Sequence, residues 1–273
     1  MTASTSTPGT GITLTMDELL AMIDKTDLPA GIKSKIVAKP YLLMQVLTAL
    51  GHMRLHSIEG NRVYAFLLIV DRSWSVNRFV TELVKCIAGT FETLKTIKVS
   101  GTIVGGCVAI TDEVQGGEVL VPFAPASQIT IDPATFPFHP DGVTPLHDTL
   151  VVALVALRVL ARMMVDLRKK LIPMAYIVGD GEDYTEGMDP EFTRDEAAEM
   201  VSYVRTGRLK GRVAGVGVCD PGVDLTRSFT DLGIPVEAIR QIGVGDTDAL
   251  KELFNEISRS VESTSQSGET GGF

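Results

Sequence analysis

Asp71, Ser73 and Ser75 stand at alternate positions directly after an apolar run, in the segment VYAFLLIVDRSWSV spanning Val63 to Val76. In an extended stretch these positions point the same way, so one carboxylate and two hydroxyls share a side. Two further segments carry groups of the same kind. Thr144 lies in GVTPLHDTL, Gly142 to Leu150, and Asp180 lies in GDGED, Gly179 to Asp183. Two carboxylates and three hydroxyls, with no imidazole or thiol among them, are hard oxygen donors. Such a set selects a hard divalent cation: Mg²⁺ first and Mn²⁺ second, with Ca²⁺ as a further candidate. Five protein groups, some acting through water, leave an octahedral position open. Thr144 also has a plain alternative role, because a threonine before Pro145 at the start of a helix is a good N-cap.

The elements that position these residues follow from periodicity. Val63–Val70 is apolar without alternation and rich in β-branched and aromatic types, which predicts a central strand buried on both faces. Leu171–Val178, LIPMAYIV, repeats the pattern and again ends on an acidic residue. Between them, Asn77–Leu94 carries helical apolar spacing, and Gly101–Ile110 and Glu118–Phe123 form an antiparallel hairpin about the turn Gln115-Gly116-Gly117. Leu146–Leu167 is strongly apolar, but Arg158, Arg162 and Asp166 recur at intervals of four. That spacing predicts a buried helix with a narrow solvated stripe and excludes a membrane span. Thr193–Thr206 is an amphipathic helix with Thr193 as its cap, Arg212–Val218 a strand, Asp224–Leu232 a short helix, Ala238–Ile242 a final strand and Asp246–Val261 a final helix. Strands alternating with helices imply an α/β fold with a doubly wound, mostly parallel sheet and one antiparallel edge strand. In such sheets ligands bind beyond the carboxyl ends of the strands, where all three motifs fall.

Residues 1–14 are Thr, Ser, Gly and Pro, and 262–273 return to Ser, Thr, Gly and Gln, compositions that predict flexible tails. Asp17–Ile23 and Tyr41–Leu55 have helical spacing, separated by DLPAG and Pro40, so residues 15–60 form a small helical appendage before the main domain at 61–261. The formal charge of −9 disfavours nonspecific binding to nucleic acid or an anionic membrane. Cys86, Cys107 and Cys219 lie far apart in apolar surroundings, an odd count without CxxC spacing. They read as buried free thiols in a reducing, cytoplasmic compartment, and MTASTSTPGTG lacks the features of a signal peptide. His52, His56, His139 and His147 share no metal spacing, and GVGV at 215–218 and GVGD at 243–246 match no nucleotide-binding pattern. Arg168, Lys169 and Lys170 suit the negative end of a helix dipole.

DRSWS, GVTPLHDTL and GDGED, in this order and at strand and helix ends, resemble the three parts of the metal-ion-dependent adhesion site of von Willebrand factor A domains. The match covers Arg62 to about Val261. The resemblance implies the Rossmann-like fold of that family, a metal held by Asp71, Ser73, Ser75, Thr144 and Asp180, and a partner acidic side chain completing the metal shell. Trp74, where many members carry a small residue, and Arg72 are expected to shape the rim. Between Gly179 and Glu191 stand Asp180, Glu182, Asp183, Glu186, Asp189 and Glu191, which repel an acidic partner unless Arg72, Arg78 or His147 offsets them. The function expected is a non-catalytic protein–protein interaction or scaffolding module of a bacterial or phage system: a regulatory module, an adaptor for an AAA+ ATPase or a component of a larger assembly. The alternative is a metal-dependent hydrolase acting on a phosphoester. That reading lacks a base, a nucleophile and a lysine constellation, and Ser73 stands where an aspartyl-phosphate phosphatase places its second aspartate.

Overall fold

A computed structural model describes residues 14–51, 58–140, 142–207, 209–220, 222–243 and 246–267. Strand β1 (Arg62–Asp71) is buried from Val63 onward, as its unbroken apolar sequence requires. Parallel to it on one side runs β2 (Thr102–Ile110), and on the other β4 (Lys170–Gly179), followed by β5 (Arg212–Cys219) and β6 (Ile239–Gly243). The hairpin partner β3 (Glu118–Pro125) pairs antiparallel with β2 at the edge, and a register irregularity at Cys107 bends the pair. The order of the six strands is β3-β2-β1-β4-β5-β6. The chain leaves β1 toward β2 and β3, then crosses back to β4, so the order reverses between β1 and β4. In open sheets of this kind ligands bind outside the carboxyl ends of the two strands where that happens.

Helix α4 (Val80–Thr96) follows β1 through a 3-10 segment, Trp74–Phe79, and packs against the last helix. Helix α5 (Leu146–Asp166) has 17 of its residues buried against β1, β2, β4 and the following helix α6 (Arg194–Thr206). No helix among the described residues is long and apolar enough to cross a membrane. At the far end of α5, Arg168 takes φ +58° while its N–H and that of Lys169 donate to the carbonyls of Val165 and Met164, closing the helix with a Schellman motif. Thr193 caps α6 in a capping box with Glu196, as its sequence predicts. Helix α7 (Thr226–Asp231) is short, and α8 (Thr247–Ser267) runs six residues past Val261, where the expected tail begins. Apolar spacing stops there, but Ser258, Ser260 and Thr264 are buried small polar residues that continue the packed face.

The N-terminal region differs from expectation. Among the described residues three α-helices precede β1: α1 (Met16–Asp24), α2 (Ala30–Ala38) and α3 (Pro40–Leu50). Helix α2 escapes a periodicity reading because AGIKSKIVA has only a weak apolar side, Ile32 and Ile36 being its buried residues. Gly51, at φ +59°, ends α3 short of the expected Leu55. Residues 52–57, with His52 and His56, and most of the expected tails lie outside the described residues. Leu19, Ile23, Ile32, Ile36, Leu42, Leu43 and Val46 join the same hydrophobic core as the sheet. Full burial of such a side chain stabilises by about 1.5–3 kcal/mol, so these helices are held far more firmly than an appendage implies.

Polar ties reinforce this docking and draw Arg158 out of the expected solvated stripe, in which Arg162 and Asp166 remain. Arg158 is only 8% exposed, and its guanidinium donates to Asp27, between α1 and α2, at 2.6 and 3.0 Å and meets the Tyr203 hydroxyl of α6 at 2.6 Å. Burial works to raise the Asp27 carboxyl, but hydrogen bonds from Tyr203 and Arg158 and the charge of Arg158 hold it down at about 2. Because the folded-state value lies below the unfolded one, the associated stability is present above about pH 4 and is lost as pH falls toward 2. Asp27→Asn is therefore expected to cost about 1–2 kcal/mol at pH 7 and to flatten the loss of stability between pH 4 and 2. Urea unfolding as a function of pH checks this, and parallel curves for variant and wild type count against the assignment.

Candidate functional site

Asp71 ends β1 with 1% of its surface exposed. Its Oδ1 accepts the Ser73 N–H at 2.8 Å, the Ser73 hydroxyl donates to its Oδ2 at 3.1 Å, and the Asp180 N–H donates to the same carboxylate. Burial, and then the negative charge of Asp180, outweigh these bonds and push the Asp71 carboxyl up to about 7. The close approach depends on Gly179: a Cβ there meets the Asp71 Cβ at 2.6 Å and its Oδ2 at 3.1 Å. Asp180, half-buried, turns its own Oδ1 to the Glu182 N–H at 3.0 Å, an Asx turn that starts the loop toward α6.

Ser73 is extended (φ −66°, ψ 169°), so the alternation expected from DRSWS carries Asp71 and Ser73 to one side. It stops there. The Trp74–Phe79 turn begins at once, with the Val76 N–H on the Ser73 carbonyl at 3.2 Å, so Ser75 is placed by a 3-10 turn and not by a strand. The side chains of Trp74 and Ser75, with the rim role expected of the tryptophan, lie outside the described residues.

Thr144 is 5% exposed and reaches the same edge through a short antiparallel bridge with Tyr184, their two N–H···O bonds both 2.9 Å. The expected capping role is not what holds it. Helix α5 begins at Leu146 with Pro145 as N-cap, one residue too late for a Thr144 cap. The cap comes instead from the Asp180 loop: Asp183 accepts the His147 N–H at 3.0 Å and pairs with the His147 ring at 3.1 Å. Asp148, 1% exposed, accepts the N–H groups of Glu191 and Phe192 at 3.1 and 2.8 Å. Burial raises its carboxyl in spite of these bonds. The helix that follows Thr144 and the loop that follows Asp180 are thus tied reciprocally. Sequence reasoning missed Asp148 and Asp183; Asp148 sits where first-turn acids ordinarily serve the helix dipole, which hides its longer-range role.

Of the basic groups expected to offset the acidic loop, Arg72 and Arg78 are engaged elsewhere and His147 meets only Asp183. Arg72, 4% exposed, points away from Asp71 and pairs with Glu113 and Glu118 and with the Thr111 hydroxyl at 2.9 Å, clamping the end of β1 to the β2–β3 turn. Arg78 pairs with Asp220 at 3.3 Å, and His147 serves Asp183. Glu182, Glu186 and Asp189 stay exposed in the acidic loop.

The donor set fits a hard divalent cation. A cation beside Asp71 and Asp180 relieves the repulsion that otherwise favours a proton on Asp71, and the Ser73 hydroxyl already lies against Asp71. Among the described residues no three His, Cys, Asp or Glu side chains gather as a metal cluster, so hydroxyl and water oxygens must complete the shell. Cys86 and Cys107 are buried free thiols and Cys219 a half-buried one.

No family model and no curated protein matches the sequence. Solved structures do. The pilus adhesin SpaC from Lactobacillus rhamnosus GG is similar over 76% of this chain and 31% of its own, at 11% identity and a TM-score of 0.55. The PilB minor pilin from Streptococcus sanguinis is similar over 76% of this chain and 63% of its own, at 15% identity and a TM-score of 0.51. A von Willebrand factor type A protein from Catenulispora acidiphila matches 74% of this chain and 43% of its own, at 18% identity and a TM-score of 0.49. The chain thus spans less than two thirds of the length of each. At these identities the likeness is one of fold.

Gly179→Ala tests the geometry of the carboxylate pair. The added Cβ must displace Asp71 or the end of β4, and such overpacking costs about 1–3 kcal/mol. Denaturant unfolding checks it; a variant as stable as wild type contradicts the close approach.

Proposed function

We propose that this chain, which has the von Willebrand factor A fold, is a metal-dependent protein interaction module. Asp71, Ser73, Ser75, Thr144 and Asp180 hold a divalent cation, Mg²⁺ by the hardness of the donors, and a carboxylate of the partner completes its shell. The observation that carries the reading is the buried Asp71 carboxylate, held against Asp180 at the carboxyl ends of β1 and β4. When bound, the cation supplies the positive charge that draws a partner carboxylate. The residues themselves do the rest: Asp71 and Ser73 fix one another, and Gly179 admits the two carboxylates to one edge. With Arg72, Arg78 and His147 engaged, Glu182, Glu186 and Asp189 are left to meet the partner. A carboxylate arriving there must be flanked by basic groups, which makes charge pattern a determinant of specificity.

A hydrolase finds less support at this edge. Ser73 stands where an aspartyl-phosphate phosphatase places its second aspartate, and no lysine accompanies the two carboxylates in the motifs.

A ligand that binds only the folded state stabilises it by RT ln(1 + [L]/Kd), about 2.7 kcal/mol at a hundredfold excess over Kd. Mg²⁺ or Mn²⁺ is expected to raise the melting temperature of the wild type and to leave Asp71→Asn almost unmoved. An equal rise in both contradicts the metal assignment. Turnover of a generic phosphoester that disappears in Asp71→Asn supports the hydrolase instead.

A further inference from the structure

The loop between Asp180 and α6 has little regular structure beyond the Thr144–Tyr184 bridge, so its position is set by side-chain ties. Those from α5 are Asp183 on the His147 N–H and Asp148 on the N–H groups of Glu191 and Phe192. A second group comes from α2 and α3 and converges on one residue. Lys35 donates to the Glu191 carbonyl at 2.9 Å, Lys39 donates to its carboxylate at 3.0 Å, and the Tyr41 hydroxyl donates to the same oxygen. Lys35 also pairs with Glu196 at 2.7 Å and lies 5.4 Å from the centre of the buried Phe192 ring. Glu191 is therefore where the N-terminal helices and the helix after Thr144 grip the Asp180 loop together.

We propose that Glu191 is a positioning residue through which α2 and α3 set the affinity of the metal site. This rests on the metal reading above. Burial of Ile32, Ile36, Leu42, Leu43 and Val46 accounts for a hydrophobic cover over α5, but not for three polar side chains meeting on one loop residue. Electrostatics explains why they are needed. Asp148 and Glu191 are like charges close enough to act on each other. Without Lys35, Lys39 and Tyr41 that repulsion lifts the end of the loop, and without the Glu191 carboxylate Lys39 and Tyr41 lose their hold on it. Asp148 then loses its two N–H donors, and the tie between the start of α5, next to Thr144, and the loop that leaves Asp180 loosens. Because linkage is reciprocal, metal binding tightens the docking of α2 and α3 by the same factor.

The test is calorimetric Mn²⁺ titration of the full chain as wild type, Glu191→Ala, Glu191→Gln, the double variant Lys39→Gln with Tyr41→Phe, and Ile257→Val. Ile257 is buried on α8, away from the loop, and controls for lost stability alone. Glu191→Ala and the double variant are expected to weaken Mn²⁺ binding roughly three- to tenfold, a milder effect than loss of a residue touching a metal ligand. Glu191→Gln, which can still accept the Tyr41 hydroxyl proton, recovers part of the affinity. Ile257→Val lowers the melting temperature and leaves the affinity unchanged. Saturating Mg²⁺ slows amide exchange in α2 and α3 of the wild type and not of Glu191→Ala. If Glu191→Ala fails to fold, the double variant, which leaves Glu191 in place, decides. Binding within twofold of wild type in the folded variants overturns the proposal and leaves the metal reading standing. Absence of Asp71-dependent Mn²⁺ binding in the wild type overturns both.

Discussion

Two carboxylates held together at the dry end of a central strand are the constraint around which this molecule is arranged. Asp71 cannot retreat, because β1 is flanked by β2 and β4 and its end residue is buried. Asp180 cannot retreat either, because its own N–H donates to Asp71 and Gly179 removes the side chain that would keep the two strands' ends apart. Burial and the charge of Asp180 then raise the Asp71 carboxyl, which favours a proton or a cation beside it. On the proposed reading that group is a cation.

The surrounding polar architecture keeps this edge rigid. Arg72 leaves the site in the opposite direction from its neighbours and clamps β1 to the β2–β3 turn, while Asp183 and Asp148 hold the Asp180 loop against α5. Apolar burial supplies most of the stability and sets the layers. These buried polar ties select one arrangement of the loops, since a half-satisfied alternative leaves charged groups without partners in a low-dielectric setting.

Most of the fold was legible because strand and helix periods were clean: all six strands fall where apolar runs end in turn residues, and Thr193 caps its helix as its type suggests. What escaped was set by contacts between segments distant in sequence. Arg158 sits at helical spacing from Arg162 and Asp166 and looks like part of a wet stripe, but Asp27, 131 residues away, takes it inside. Arg72 stands among the candidate ligands in DRSWS, yet strand alternation sends it to Glu113 and Glu118. Helix α2 lacked an apolar stripe strong enough to announce itself. The five candidate ligands were legible as motifs; that the loop carrying Asp180 is held by N-terminal helices was not, because neither Lys39 nor Tyr41 carries a pattern pointing to Glu191.

The central claim is that Asp71, Ser73, Ser75, Thr144 and Asp180 share one cation. Anomalous diffraction from crystals grown with Mn²⁺ tests it most directly. The account predicts a single strong anomalous peak bounded by these residues at the carboxyl ends of β1 and β4. Saturated crystals with no peak there, or with Mn²⁺ bound elsewhere on the molecule, contradict it.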